Sequence, residues 1–212
     1  MGLRHLAEPL TYEQVIKKSR FIARLFPVTA ADQAKELVET VRKSDYGARH
    51  HATAMVLGPE AGLQRSNDDG EPSGTAGLPM LQALHQAAVT DLLAVVTRYF
   101  GGVKLGRPGL IRAYGGTVSS ALNQASFYFE TTLEGFELEV AAAEGGRLEH
   151  ILRQLVAGQP GAKLEPSYGQ TVRFQVWLPE PAGRALNDLL AGPWPGVRLR
   201  PIGQRRLHLP QA

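Results

Sequence analysis

The 212-residue sequence contains no cysteine. That absence excludes disulfides, thiolate zinc or iron–sulfur sites and a cysteine nucleophile, so the fold rests on packing alone. It also suits a cytoplasmic protein. Long apolar runs are missing as well: the longest aliphatic stretch, residues 92–96, falls far short of the ~20 residues that span a bilayer. The opening MGLRHLAEPLTYEQ lacks the apolar segment of a signal peptide. Gly2 follows Met1, but Leu6 stands where myristoylation needs Ser or Thr. A soluble chain with no membrane partner is expected. An excess of one charge is missing too. Twenty-three basic residues face 20 acidic ones, a net of +3. The pI of 9.3 reflects arginine, whose guanidinium keeps its proton to high pH. Residues 1–130 carry 14 basic and 12 acidic groups and residues 131–212 carry 9 and 8. Any nucleic-acid surface must then come from local segregation of charge.

What is present reads in two parts. Up to about residue 130 glycine clusters and motif-like strings dominate. A strand is expected over 20–28. A helix follows, capped by Thr29 with Asp32 completing a capping box, its apolar stripe formed by Ala34, Leu37, Val38 and Val41. Strands over 51–57 and 63–66 precede the turn-forming string NDDGEPSG, which predicts a long exposed loop. A helix over 77–89, a buried strand over 92–99 and a helix over 110–125 complete an α+β layer. Beyond residue 130, Phe136, Leu138 and Val140 alternate with glutamates, and Leu148, Ile151, Leu152, Leu155 and Val156 share a helix face. Strands over 163–168 and 172–178, a helix bearing Leu186, Leu189 and Leu190, and a strand from Val197 follow. The order βαββαβ is the ferredoxin-like split βαβ arrangement. The expected domains are 1–130 and 131–212.

The most unusual string is RYFGGVKLGRPGLIRAYGG, residues 98–116, with six glycines and four basic residues. Glycine permits positive φ and close approach of backbone to a ligand, and a following helix start offers free N–H groups to an anion. Arg98, Gly101, Gly102, Lys104, Gly106, Arg107 and Arg112 are therefore candidate phosphate contacts, and Arg49, just before the histidine pair, is a further one. A tight turn with close helix–strand packing explains the same glycines. Nucleotide hydrolysis has no support: Gly101 and Gly106 are spaced as in a Walker A loop, but Arg107 and Pro108 stand where Lys and Ser/Thr are required. No cofactor is expected.

Other strings are weaker. Asp68, Asp69 and Glu71 are hard-cation ligands in type, yet their spacing departs from an EF-hand and Asp favours turns for local reasons. Ser73 lies in GEPSG, not GxSxG. His50 and His51, adjacent at a strand start, point to opposite faces and cannot easily share a metal. Near the C-terminus Arg198 and Arg200 share a face by period two. A ferredoxin-like open face carrying Glu137, Glu139, Arg173, Gln175, Trp177, Arg198 and Arg200 offers one aromatic among mixed charge, a poor platform for RNA bases.

The strings GARHHATAMVLG, RSNDDGEPSGTAGLPML and VTRYFGGVKLGRPGLIRAYGGTVSSAL, in that order, resemble the IMPACT family, and the two-part layout is similar to its bacterial YigZ-like branch. The resemblance covers about residues 19–125. It implies an N-terminal domain like a ribosomal-protein domain also found in elongation factor G, and a C-terminal domain like the last, ferredoxin-like domain of that factor. The family's eukaryotic members regulate translation under amino-acid starvation by competing for the activator of a kinase, and carry an additional N-terminal partner-binding domain. Ser19-Arg20-Phe21-Ile22 already belongs to the family core, so that domain and the kinase-regulating role are not expected here. Two departures stand out: Ala52 where many relatives have Cys after the histidine pair, and Arg107-Pro108 where LGxGGL is common. Proline removes an N–H from an anion nest, while Arg107 adds charge.

The resulting expectation is a non-enzymatic protein that binds RNA or the ribosome and regulates translation, with no catalytic or metal-binding residue assigned. Its phosphate contacts are Arg49, Arg98, Lys104, Arg107 and Arg112 around the glycines, with Arg198 and Arg200 secondary. The alternative is a small-ligand protein or hydrolase whose pocket joins His50 and His51, Asp68 and Asp69, and the glycine loop. A protein partner also stays open.

Overall fold

The computed structural model describes residues 2–190, 194 and 196–210. The chain is a mixed α+β protein of two compact units, one holding the described residues up to Phe129 together with Pro210, the other Glu130–Leu209.

The first unit runs β1 (Arg4–Leu6), β2 (Leu10–Ile16), β3 (Ser19–Pro27), α1 (Ala31–Ser44), β4 (His50–Leu57), β5 (Leu63–Asn67), α2 (Gly77–Gln86), β6 (Val89–Thr90), β7 (Leu92–Tyr99) and α3 (Gly106–Gln124). Its main sheet has the order β2-β3-β7-β4-β5, every pair antiparallel. Both faces are covered. Phe21, Ala23, Leu25, Ala52, Ala54, Ala94 and Val96 pack with Met80, Leu84, Tyr114 and Val118 of α2 and α3. On the other face Met55, Leu93 and Val95 pack with Ala34 and Val41 of α1. This two-sided burial explains why β7 reads as an unbroken apolar run, although such runs are commoner in parallel sheets. Each fully buried Leu or Val in it contributes about 1.5–3 kcal/mol by leaving water. The short β1 pairs parallel with β6.

Several expectations need correction. β1 and β2 were absent from the sequence reading: Leu10–Ile16 alternates half-buried and exposed residues, a weak pattern at a sheet edge. Ala30, not Thr29, precedes α1, and no side chain caps it. The Thr29 N–H instead donates to Gln33 Oε1 at 3.0 Å. α2 ends at Gln86, because Ala88 and Asp91 take positive φ around β6. α3 starts at Gly106 rather than 110, since Pro108 sits in the first turn, where its missing N–H costs nothing. The string Asn67 to Gly74 is not simply exposed: Glu71 is buried.

The second unit takes β8 (Phe127–Ala141) from Glu130 onward, then α4 (Ala142–Val156), β9 (Lys163–Tyr168), β10 (Thr171–Pro179), α5 (Glu180–Leu190) and β11 (Arg198–Pro210). Its strands lie in the order β9-β10-β8-β11. Phe136, Leu138, Val140, Phe174, Val176 and Leu178 on one sheet face meet Leu148, Leu152, Ala182 and Leu186 of the two helices. On the other face the register sets Arg173 opposite Glu139 and Gln175 opposite Glu137.

Candidate nucleic-acid interface

One end of the five-stranded sheet gathers most of the conspicuous strings. Pairing of Ile16 with Ser19, Arg20 with Tyr99, His50 with Arg98 and Thr53 with Asn67 brings four loops out together. These are the Lys17-Lys18 turn, residues 45–49, the acidic loop 68–74 and the glycine loop 100–105. Gly101 fixes the junction. A Cβ there would lie 1.9 Å from the Lys18 carbonyl oxygen, so no other residue fits without moving backbone, and its N–H donates to Ser19 Oγ at 3.1 Å.

The acidic loop hooks over this sheet end, each carboxylate held by its own donors. Asp68 accepts the backbone N–H groups of Gly74 (2.7 Å), Ala76 (2.9 Å) and Gly77 (2.9 Å). Burial alone would raise its pKa, but those three bonds and the Arg107 charge outweigh it and hold the carboxyl below its usual value. Asp69 reaches the α1 face, accepting from Arg42 and from the His51 N–H at 2.6 Å. Burial again acts upward on its pKa and is outweighed by these donors and the Arg42 charge, leaving it lowered. Glu71 turns to the opposite face, where Arg98 Nη1 and the Tyr114 hydroxyl both donate to Oε1 at 2.7 Å. Burial and the bond to Glu71 raise the Tyr114 pKa, keeping the phenol protonated. Among the described residues no group of three or more His, Asp or Glu forms a metal site.

The histidines divide as strand alternation requires. His51 is 4% exposed and its Nδ1 lies 3.8 Å from Asp69 Oδ2. Burial and the Arg42 charge lower its pKa against the pull of Asp69, so it stays neutral. His50 is half-buried and its Nδ1–H donates to the Asp69 carbonyl oxygen at 2.9 Å. Of the alternative pocket, His50, His51 and Asp69 meet at the acidic loop, while Arg98, Glu71 and Tyr114 form a separate cluster on the α2–α3 side.

The basic candidates part ways. Arg98, expected to meet phosphates, is 6% exposed and paired internally with Glu71, its guanidinium 5.5 Å from the ring centres of Phe21 and Phe100. Arg107 is exposed and donates to the Ser73 carbonyl at 2.9 Å, closing the acidic loop onto α3. Gly102 and Gly106 take positive φ and let the chain turn from β7 into α3. Arg49, Lys104 and Arg112 are exposed. Lys17 and Lys18, which sequence reasoning did not single out, are exposed at the same sheet end; the tandem lysine before Ser-Arg was the available signal. In the second unit Arg198 is exposed and Arg200 donates to Glu137 Oε1 at 2.7 Å. Trp177, the one aromatic expected on that open face, is buried under Arg205, whose guanidinium stands 3.8 Å over its ring.

The sequence model of the Impact N-terminal domain matches residues 17–122, the span that carries the lysine turn, the acidic loop and the glycine loop. The IMPACT family member YigZ of Escherichia coli is 41% identical over 175 residues, covering 82% of this chain and 84% of that protein. YvyE of Bacillus subtilis, another member, is 38% identical over 177 residues, covering 84% and 80%. A crystal structure described as that of an hypothetical protein is 36% identical and superposes with a TM-score of 0.60, covering 93% of this chain and 96% of that one. The chain belongs to the IMPACT family.

Proposed function

We propose that this chain is a non-enzymatic, cytoplasmic RNA- or ribosome-binding protein that regulates translation, acting through the basic end of its five-stranded sheet. The observation that carries this reading is a segregation of charge. Lys17, Lys18, Arg49 and Lys104 are exposed there, whereas Asp45, Asp69 and Glu71 are each paired with an arginine and Asp68 is turned onto three backbone N–H groups. The surface therefore presents cations to a polyanion even though the unit is nearly balanced overall. The hydrogen-bonded carboxylates of the acidic loop and a buried, neutral His51 at this sheet end favour binding over chemistry.

The second unit is read as ferredoxin-like, on its strand order β9-β10-β8-β11 with two helices on one face. The first is read as akin to the ribosomal-protein domain of elongation factor G. Residues 1–130 and 131–212 are taken as the two domains. Arg198 is a secondary phosphate contact. No helix among the described residues is long and apolar enough to cross a membrane. The test is ultraviolet crosslinking in cells followed by sequencing of bound RNA, together with co-sedimentation of the full chain with ribosomes. Enriched RNA lost on combined replacement of Lys17, Lys18, Arg49 and Lys104 by Ala is expected; absence of both RNA and ribosomes from the captured material overturns the reading.

A further inference from the structure

We infer that the RNA held at this sheet end is single-stranded, with bases stacked on Tyr46 and Phe100; this rests on the RNA-binding reading and specifies its ligand. Lysines alone would suit duplex and single strand alike, since both display phosphates. The aromatics decide between them. Of the large apolar side chains that the first unit leaves exposed, two are aromatic, Tyr46 at 90% and Phe100 at 56%. Both emerge at the cationic end, and neither belongs to a hydrophobic cluster.

Their placement is built rather than incidental. Tyr99 and Phe100 leave β7 in succession and so project to opposite faces of the sheet. On one face Gly47 packs near the Tyr99 ring, with its hypothetical Cβ 3.8 Å from Tyr99 Cε1. Tyr46, the residue before Gly47, lies in the same 45–49 loop as Arg49. On the other face the Arg98 guanidinium lies 5.5 Å from the Phe100 ring centre, and Arg98 is itself paired with Glu71. The next residue, Gly101, is wedged against Lys18, so Phe100 is carried on rigid backbone. An exposed ring held in place from behind loses little conformational entropy when a base stacks on its free side. Lys17, Lys18, Arg49 and Lys104 are exposed on the loops of the same sheet end, and a cationic track with aromatic platforms is the combination that retains unpaired nucleotides. A duplex keeps its bases stacked inside and cannot use either ring.

The experiment measures fluorescence anisotropy of labelled U12, A12 and a 12-base-pair RNA duplex with the full chain, across a salt series. The single strands are expected to bind more tightly than the duplex. Phe100→Ala and Tyr46→Ala should each weaken U12 binding by roughly 5- to 150-fold, the fold-change of a lost base–aromatic stack, with an unchanged salt slope. Phe100→Trp should restore affinity. Lys104→Ala should instead shallow the slope. Equal binding of duplex and single strands, or aromatic variants that bind U12 like the parent, overturns the single-strand inference while leaving salt-dependent RNA binding intact. Failure of the parent to bind any of the three RNAs overturns both. Tyr46 lies outside the core, so its variant tests stacking even if loss of Phe100 disturbs Arg98.

Discussion

Replacing Glu71 by Ala tests how the acidic loop is anchored. Arg98 is 6% exposed and its Nε already has no partner. Loss of the carboxylate would leave the whole guanidinium buried with only ring faces for company, and would orphan the Tyr114 hydroxyl. Removing one member of a buried ion pair costs about 3–5 kcal/mol, because the surviving charge stays desolvated. An orphaned buried donor costs about 1–3 kcal/mol. The two effects share one site and do not add fully, so about 4–6 kcal/mol is expected. That approaches the whole stability of a typical domain, ~5–15 kcal/mol. Both tryptophans, Trp177 and Trp194, lie in the second unit, so their fluorescence follows the wrong transition. The assay is native-state hydrogen exchange at the β7 amides 93–96, which lie in the core of the first unit. Converting all three groups together, Glu71→Leu with Arg98→Met and Tyr114→Phe, should recover most of the loss, since no buried charge or donor then lacks a partner. A cost below ~1 kcal/mol for Glu71→Ala, or a triple variant as unstable as the single one, would refute the reasoning; such pairs are otherwise expected in this range.

Three further outcomes follow from the same geometry. Gly101→Ala should destabilise the first unit by about 1–3 kcal/mol or more through overpacking, since the added carbon meets the Lys18 carbonyl at 1.9 Å; chemical denaturation followed by far-UV circular dichroism reads it. Asp68→Ala removes one acceptor shared by three N–H groups and should cost about 1–3 kcal/mol, with faster exchange at Gly74, Ala76 and Gly77. In a pH titration by NMR the His51 ring should titrate below its ordinary value, because burial and Arg42 disfavour its cation. Its neutral form is the native one, so its contribution is complete above the unfolded pKa near 6.5 and is lost as pH falls toward the lower folded value. Asp68 and Asp69, lowered in the folded state, contribute at all pH above about 3.9 and lose that contribution in stronger acid. A normal or raised His51 midpoint would contradict this assignment.

Legibility in the sequence was uneven for physical reasons. β7 could be read to the residue, because its apolar run is buried on both faces and flanked by Asp91 and glycines. The order of elements after residue 130 was equally plain, since Phe136, Leu138 and Val140 alternate and Leu148 and Leu152 recur at helical spacing. β2 was not legible: as an edge strand it buries no residue fully. The glycine string was conspicuous, but local chemistry gave no means to tell an anion nest from close packing, and Gly101 is explained by Lys18, 83 positions earlier. Arg98 was assigned to the surface because charge alone argues for water; its partner Glu71 lies 27 residues away in a loop that composition marks as exposed. Tyr46 and Phe100 acquire meaning only when the register places their loops at one sheet end.

The central claim is that exposed cations at that end hold RNA phosphates. The most direct measurement is the salt dependence of U12 affinity for the parent chain and for the variant with Lys17, Lys18, Arg49 and Lys104 all changed to Ala. At about 0.7 per contacted phosphate on a single strand, four contacts predict a log–log slope of about −2.8 for the parent, and a much shallower slope with weaker binding for the variant. A parent slope near zero, or a variant that keeps the parent's slope, would contradict the account.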